Sequence, residues 1–343
     1  MSRWAVVLAG GVGSRFWPLS TPARPKQLLP LVTDKPLLRE TLDRLEPLAD
    51  GAHTLVLTNA ALVAAIGEMA PVVPPANIIA EPKPAGTAAA LAWAANEIVR
   101  RDPSGVMLSV HADWSIGDPE GFRRTLVHAA DLAERHRSLV TVGVVPTRPD
   151  PGFGYLSPGS PVEGDACRVD RFIEKPDQVR AEAMVRDGYL WNSGIFVWRA
   201  ADFLAQVMAH TPEVAPALEA HGEDIDAFFG AVRSISVDVG VMERSDRVLM
   251  IPGNFGWDDV GTWAALRRVR ALDPSGNASV GPVFPVASHD NVIHAEGGDV
   301  VLFGVSGLIV IARPGLTLVT TTDHAADLKS LIDALPPEVR ERP

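Results

Sequence analysis

Trp4-Ala5-Val6-Val7-Leu8-Ala9-Gly10-Gly11-Val12-Gly13-Ser14-Arg15-Phe16-Trp17-Pro18-Leu19 is the stretch from which the fold is read. A short apolar run ends in glycines, an arginine follows, and Pro25-Lys26-Gln27 comes shortly after. An apolar run bounded by glycine reads as a buried strand opening into a turn. Gly10, Gly11 and Gly13 lack a Cβ, so their backbone can take positive φ and bring N–H groups close to an anion. Arg15 and Lys26 can then neutralise the charge of a triphosphate. No Lys-Ser/Thr pair follows Gly13, which excludes a P-loop. Pro18 would cut short a helix begun at the turn, which excludes a dinucleotide fingerprint.

Outward from this strand, apolar runs at 5–8, 54–58, 106–110 and 139–145 alternate with helical periodicity at 36–48, 60–69, 87–101 and 119–137. The alternation predicts an α/β fold, a Rossmann-like, mostly parallel mixed sheet with helices on both faces. Ligands of such sheets bind beyond the carboxyl ends of the strands. The glycine turn and Asp113, which follows the run at 106–110, both fall there. The middle, about 151–272, mixes short strands with helices and reads as a continuation of the same domain. After Asp273-Pro274-Ser275-Gly276-Asn277, short β runs at 291–294, 299–303, 308–312 and 317–321 precede a final helix at 325–335. Two domains are expected: 1–272 for catalysis and 273–343 as a small β-rich unit.

The 343 residues carry a net charge of −11. This leaves no basic surface for nucleic acid. An anionic substrate must therefore meet a local cluster of cations or a metal. Cys167 is the single cysteine, read as an inert small residue in a reducing compartment. The N-terminal apolar run is too short for a signal peptide, and no stretch reaches the length of a membrane span. A cytoplasmic protein is expected. Only five of the 31 basic residues are lysines, and two of them, Lys26 and Lys175, fall in motifs assigned to phosphate.

The pattern L-A-G-G-x-G-x-R-x-x-P-L followed by P-K-Q resembles the sugar-nucleotide pyrophosphorylases. With Trp17-Pro18-Leu19-Ser20 it is most similar to their mannose-1-phosphate guanylyltransferase branch. Further motifs follow in that family's order: Glu81-Pro82 with Gly86-Thr87-Ala88, His111-Ala112-Asp113-Trp114, Gly154, Phe172-Ile173-Glu174-Lys175-Pro176, Trp191-Asn192-Ser193-Gly194, the stretch from Ser236 to Glu243, and Phe255-Gly256-Trp257-Asp258-Asp259-Val260-Gly261-Thr262-Trp263. Two departures stand out: Ala85-Gly86-Thr87-Ala88-Ala89 replaces Arg-Asn-Thr-Ala-Pro, and His111 and Trp114 flank the aspartate in place of proline and histidine.

The resemblance implies that Leu8, Gly10, Gly11, Gly13, Ser14, Arg15, Lys26, Glu81, Gly86 and Thr87 bind the nucleotide. Gly154, Glu174, Lys175 and Asn192 are assigned to the sugar phosphate. Asp113 and Asp259, rather than Asp258, are assigned to Mg²⁺. Arg15, Lys26, Lys175, Asp113 and Asp259 form the implied catalytic set. It further implies a nucleotide-diphospho-sugar transferase fold with a short C-terminal β-helix-like piece, a homodimer, and GTP and mannose 1-phosphate as substrates. Another nucleoside triphosphate, or another hexose or heptose 1-phosphate, stays open because of the altered 81–89 stretch. So does a non-catalytic nucleotide-sugar sensor on the same fold.

Overall fold

The computed structural model describes residues 1–11 and 13–340; Val12 of the glycine turn and the end of the expected C-terminal domain, 341–343, lie outside the described residues. The strands are β1 (Arg3–Leu8), β2 (Thr54–Asn59), β3 (Ile78–Glu81), β4 (Val106–His111), β5 (Ser115–Ile116), β6 (Leu139–Val144), β7 (Tyr155–Glu163), β8 (Ala166–Ile173), β9 (Leu190–Arg199), β10 (Val248–Gly253), β11 (Trp257–Asp258), β12 (Ala278–Val280), β13 (Val283–Val286), β14 (Val292–Ala295), β15 (Val300–Phe303), β16 (Leu308–Arg313) and β17 (Leu316–Thr321). The first helices are α1 (Leu37–Leu45), α2 (Val63–Met69), α3 (Thr87–Arg101) and α4 (Pro119–His136). The chain forms two compact units. One is Met1–Gly10, Leu42–His111 and Asp118–Phe255; the other is Gly11–Thr41, Ala112–Gly117 and Gly256–Pro343.

In the first unit, nine strands among the described residues form one sheet in the order β3-β2-β1-β4-β9-β6-β10-β8-β7. Pairings β3–β2, β2–β1, β1–β4 and β6–β10 are parallel. The fold is α/β as expected, and the sheet is mixed because β9 runs antiparallel between β4 and β6. The β7–β8 hairpin adds further antiparallel pairs. Ala5, Val6 and Val7 are wholly buried, so β1 is covered on both faces, as parallel strands usually are. Trp4 and Val6 share a core with Leu55, Leu57 and the alanine-rich face of α3. By the two-residue period of a strand, Ala5 and Val7 point to the other face. β9 is longer than the short strands expected in the middle, and β3 fills a place to which no strand was assigned.

The second unit holds the glycine turn and the C-terminal strands. Strands β12, β14 and β16 pair in parallel, as do β13 and β15, and β17 closes the first set antiparallel. Successive parallel turns of this kind form a β-helix-like piece. Buried Asn277 and Asn291 link them, with Asn291 Nδ2 donating to Asn277 Oδ1 at 2.8 Å. Phe16, Trp17, Leu29 and Leu31 share an apolar core with Trp263, Ile309, Ile311 and Leu318.

Candidate active site

In the second unit Gly13 leads into a short 3-10 turn, Ser14–Phe16. Of the three glycines expected to use positive φ, Gly13 alone does so, at 64°. A Cβ on Gly13 would lie 2.3 Å from the Lys26 Cβ, so glycine is required there by conformation and by space. A Cβ on Gly11 would meet nothing within 4 Å. The peptide bond Trp17–Pro18 is cis. Ser14 and Arg15 are exposed, and among the described residues Arg15 makes no ion pair. Its guanidinium is open to solvent.

Lys26 is only 5% exposed. Its Nζ lies 3.0 Å from Asp113 Oδ2 and donates to the Asp259 carbonyl at 2.7 Å. The ammonium also stands 5.7 Å from the Phe16 ring centroid. Burying an ammonium is costly unless charge and hydrogen bonds compensate, and here a carboxylate, a carbonyl and an aromatic face do so. One lysine thereby gathers three stretches of sequence that lie far apart in the chain. Asp258 has a different place. It is buried, accepts from Arg268 Nε and NH2 at 2.6 and 3.0 Å, and accepts from the Val260 N–H at 2.9 Å. Its acceptor capacity is therefore largely taken up within the protein.

Asp113 and Asp259 fit Mg²⁺ in chemistry. Mg²⁺ usually takes one or two protein carboxylates and completes its shell with phosphate oxygens and water. Among the described residues no group of three or more His, Cys, Asp or Glu could form an all-protein cage. A carboxylate has lone pairs for both an ammonium and a metal, so the Lys26 contact leaves Asp113 capacity to bind.

In the first unit, Leu8 ends β1 and Glu81 ends β3. A Cβ on Gly10 would lie 3.9 Å from Glu81 Oε1. Burial alone pushes the Glu81 carboxyl up from 4.5 to about 7. Gly86 stands at φ 79°, where a Cβ would fall 2.3 Å from the Ile235 carbonyl oxygen. Thr87 opens α3, and its hydroxyl accepts from the Val237 N–H at 2.9 Å. The segment around 235–237 thus packs on the start of α3, a pairing that no local sequence pattern announces.

Gly154, Glu174 and Asn192 come together. A Cβ on Gly154 would lie 2.9 Å from Glu174 Oε2 and 3.4 Å from the Asn192 Cβ. Lys175, with φ 43°, is exposed and pairs with Glu174. Two further acidic residues belong here. Asn192 Nδ2 donates to Asp238 Oδ1 at 2.7 Å. The Glu243 carboxyl is pushed up by burial and by the charges of Asp238 and Glu174. Both lie in the stretch from Ser236 to Glu243, which the sequence reading left without a role. A cluster of carboxylates beside one amide and one ammonium can accept hydrogen bonds from several hydroxyls. The Cys167 thiol is raised by burial, in keeping with an inert residue.

The profile of the Nucleotidyl transferase family matches residues 4–275. The Salmonella muenchen protein "Mannose-1-phosphate guanylyltransferase" is 35% identical over 96% of this chain and 72% of its own length. The Salmonella typhimurium protein "Mannose-1-phosphate guanylyltransferase RfbM" is 34% identical over 98% and 73%. A solved Thermus thermophilus structure, described as a mannose-1-phosphate geranyltransferase, superposes with a TM-score of 0.91 at 35% identity, covering 97% of this chain and 99% of that one. The chain belongs to the nucleotidyl transferase family.

Proposed function

We propose that this nucleotidyl transferase moves the guanylyl group of GTP to mannose 1-phosphate, giving GDP-mannose and pyrophosphate. The observation that carries the reading is the buried Lys26, held against Asp113 and the Asp259 carbonyl, in a chain similar over nearly its whole length to guanylyltransferases. A non-catalytic sensor would have no need of that set.

An oxygen of the sugar phosphate attacks the α-phosphorus of GTP in line. The new O–Pα bond forms as the bond from Pα to the bridging oxygen of the β-phosphate breaks, and pyrophosphate leaves with the electron pair. The nucleophile is already an anion at neutral pH, so the step needs no protein base. Its obstacle is the approach of two anions. Arg15 and Lys26 neutralise the triphosphate, and Lys175 neutralises the sugar phosphate. Asp113 and Asp259 would hold Mg²⁺, which supplies Lewis-acid charge on phosphate oxygens. Leu8, Gly10, Gly11, Gly13 and Ser14 are assigned to the nucleotide. So are Gly86 and Thr87, which shape the start of α3. Glu81, a carboxylate with two acceptor oxygens, suits the paired N–H donors of guanine better than a pyrimidine edge. Gly154 gives the sugar ring room, and Glu174 and Asn192 bond its hydroxyls.

Catalysis is assigned to residues 1–272 and a supporting role to 273–343. The cytoplasm is the compartment that fits; among the described residues no helix is long and apolar enough to cross a membrane. A homodimer is supported by the outward face of β13 and β15, where Phe284, Val286, Val301 and Phe303 are all more than half exposed. The test is pyrophosphate release with Mg²⁺ across the four common nucleoside triphosphates and mannose, glucose and heptose 1-phosphates. Release confined to GTP with mannose 1-phosphate is expected. Release with another pair replaces the substrates, and none from folded protein overturns the reading.

A further inference from the structure

The segment that carries Lys26 has little regular structure of its own. It turns through the short 3-10 stretch Lys26–Leu28 and has no strand partner among the described residues. Its backbone is instead held at both ends by side chains from residues 263–313. Arg313, the last residue of β16, donates from NH1 to the Pro18 carbonyl at 2.8 Å. Trp263 Nε1 donates to the neighbouring Trp17 carbonyl at 3.0 Å. At the far end, Arg270 donates from Nε to the Leu31 carbonyl at 2.6 Å. Between them, Arg24 pairs at 3.4 Å with Glu296, just past β14.

Arg270 is the telling member. It is 8% exposed, and among the described residues no carboxylate lies within salt-bridge distance of it. Its NH2 meets His294 Nδ1 at 3.0 Å, and its NH1 has no hydrogen-bond partner. A buried guanidinium without a counter-charge is a poor choice for stability alone, since an apolar side chain of similar volume would cost less. Its retained hydrogen bond fixes the Leu31 carbonyl, and with it the exit of the Lys26 segment. The same segment shares its apolar core with β14, β16 and β17.

We infer that Arg270 and Arg313 are positioning residues for the transfer reaction: by holding the Leu31 and Pro18 carbonyls, they fix the segment that presents Lys26. The C-terminal strands, with Arg270 just before them, then brace the phosphate-binding lysine, beyond any part they have in assembly. This rests on the proposed nucleotidyl transfer.

The test is a double-mutant cycle with full-length enzyme, GTP, mannose 1-phosphate and Mg²⁺. Arg313→Met should lower kcat roughly 10- to 100-fold, the range expected when a catalytic group is misplaced by a fraction of an ångström to about one ångström. The KM for mannose 1-phosphate should stay within about 2-fold, since Lys26 is assigned to the other substrate. Arg313→Lys, which keeps one donor, should restore most of the rate. In a Lys26→Ala background the same Arg313→Met change should cost less than about 3-fold, because both act through one group. Arg270→Met should behave alike. Equal losses with and without Lys26, or no loss at all in the wild type, overturn the inference. If Arg313→Met fails to fold, Glu296→Gln, which weakens the Arg24 pair and the 3.9 Å approach of His294, the partner of Arg270, runs the same cycle. Wild type inactive with every substrate pair would instead sink the functional reading.

Discussion

Replacing Glu81 by glutamine removes the charge of this carboxyl and keeps its shape. Glu81 ends β3 beside Gly10, with no cation near enough to offset its burial, and its carboxyl is raised from 4.5 to about 7. A carboxyl raised on folding contributes stability that is fully present below its unfolded value and lost as pH climbs through the folded one. Each pH unit between the two costs about 1.4 kcal/mol, so the whole interval costs about 3 kcal/mol, and about 2 kcal/mol once partial exposure to solvent is allowed for. Glu81→Gln carries no such loss. In urea unfolding of the free protein, the variant should match wild type near pH 5 and exceed it by about 2 kcal/mol at pH 8. In turnover it should do the opposite and raise the KM for GTP by roughly 10-fold, because charge-assisted hydrogen bonds to guanine are lost. A stability gap that stays constant from pH 5 to 8, or one that closes as pH rises, refutes the reasoning.

Lys26→Ala should lower kcat by about 10²–10³, the usual cost of removing one electrostatic contact to the transition state; steady-state kinetics at saturating Mg²⁺, on variant shown to be folded, checks it. Gly13→Ala should lose at least about 10-fold by pressing on Lys26, again without unfolding the protein. Asp259→Asn should lose about 10²–10³ and shift the Mg²⁺ requirement upward, and chelation should abolish wild-type turnover. Asp258→Asn should instead destabilise by about 2–4 kcal/mol through loss of its Arg268 pair, with the Mg²⁺ requirement unchanged in a metal titration. On the proposed homodimer, Phe303→Glu should lower the mass seen in sedimentation to that of a monomer, and an unchanged mass would remove that face from the assembly.

The parts of the fold that were legible are those whose signal is local. Ala5-Val6-Val7 reads as a buried strand because both its faces are apolar, and α3 begins at Thr87 as expected because its apolar residues recur at helical spacing. The β7–β8 hairpin was not resolved as such. Pro158, Gly159 and Pro161 interrupt it, and its outer half is exposed, so no clean alternation remains. The reversed place of β9 depends on β4 and β6, which are distant in sequence. The site divides in the same way. Lys26 and Asp113 were singled out from motif order, and an ion pair at 3.0 Å joins them. The assignment of Asp259 rather than Asp258 to Mg²⁺ rested on the resemblance; the structure adds that Asp258 is paired with Arg268. Asp238 and Glu243 were passed over because their partners, Asn192 and Glu174, lie in other elements. The bracing arginines Arg270 and Arg313 sit in no motif, since what they hold is backbone.

The central claim is that a sugar-phosphate oxygen attacks the α-phosphorus. Mannose 1-phosphate labelled with ¹⁸O in its non-bridging phosphate oxygens, turned over with GTP and Mg²⁺ and analysed by mass spectrometry and ³¹P NMR, tests it most directly. The account predicts that all the label stays in GDP-mannose, with one labelled oxygen bridging the two phosphorus atoms, and that pyrophosphate is unlabelled. Label in pyrophosphate or free phosphate, or no GDP-mannose from folded enzyme, would contradict it.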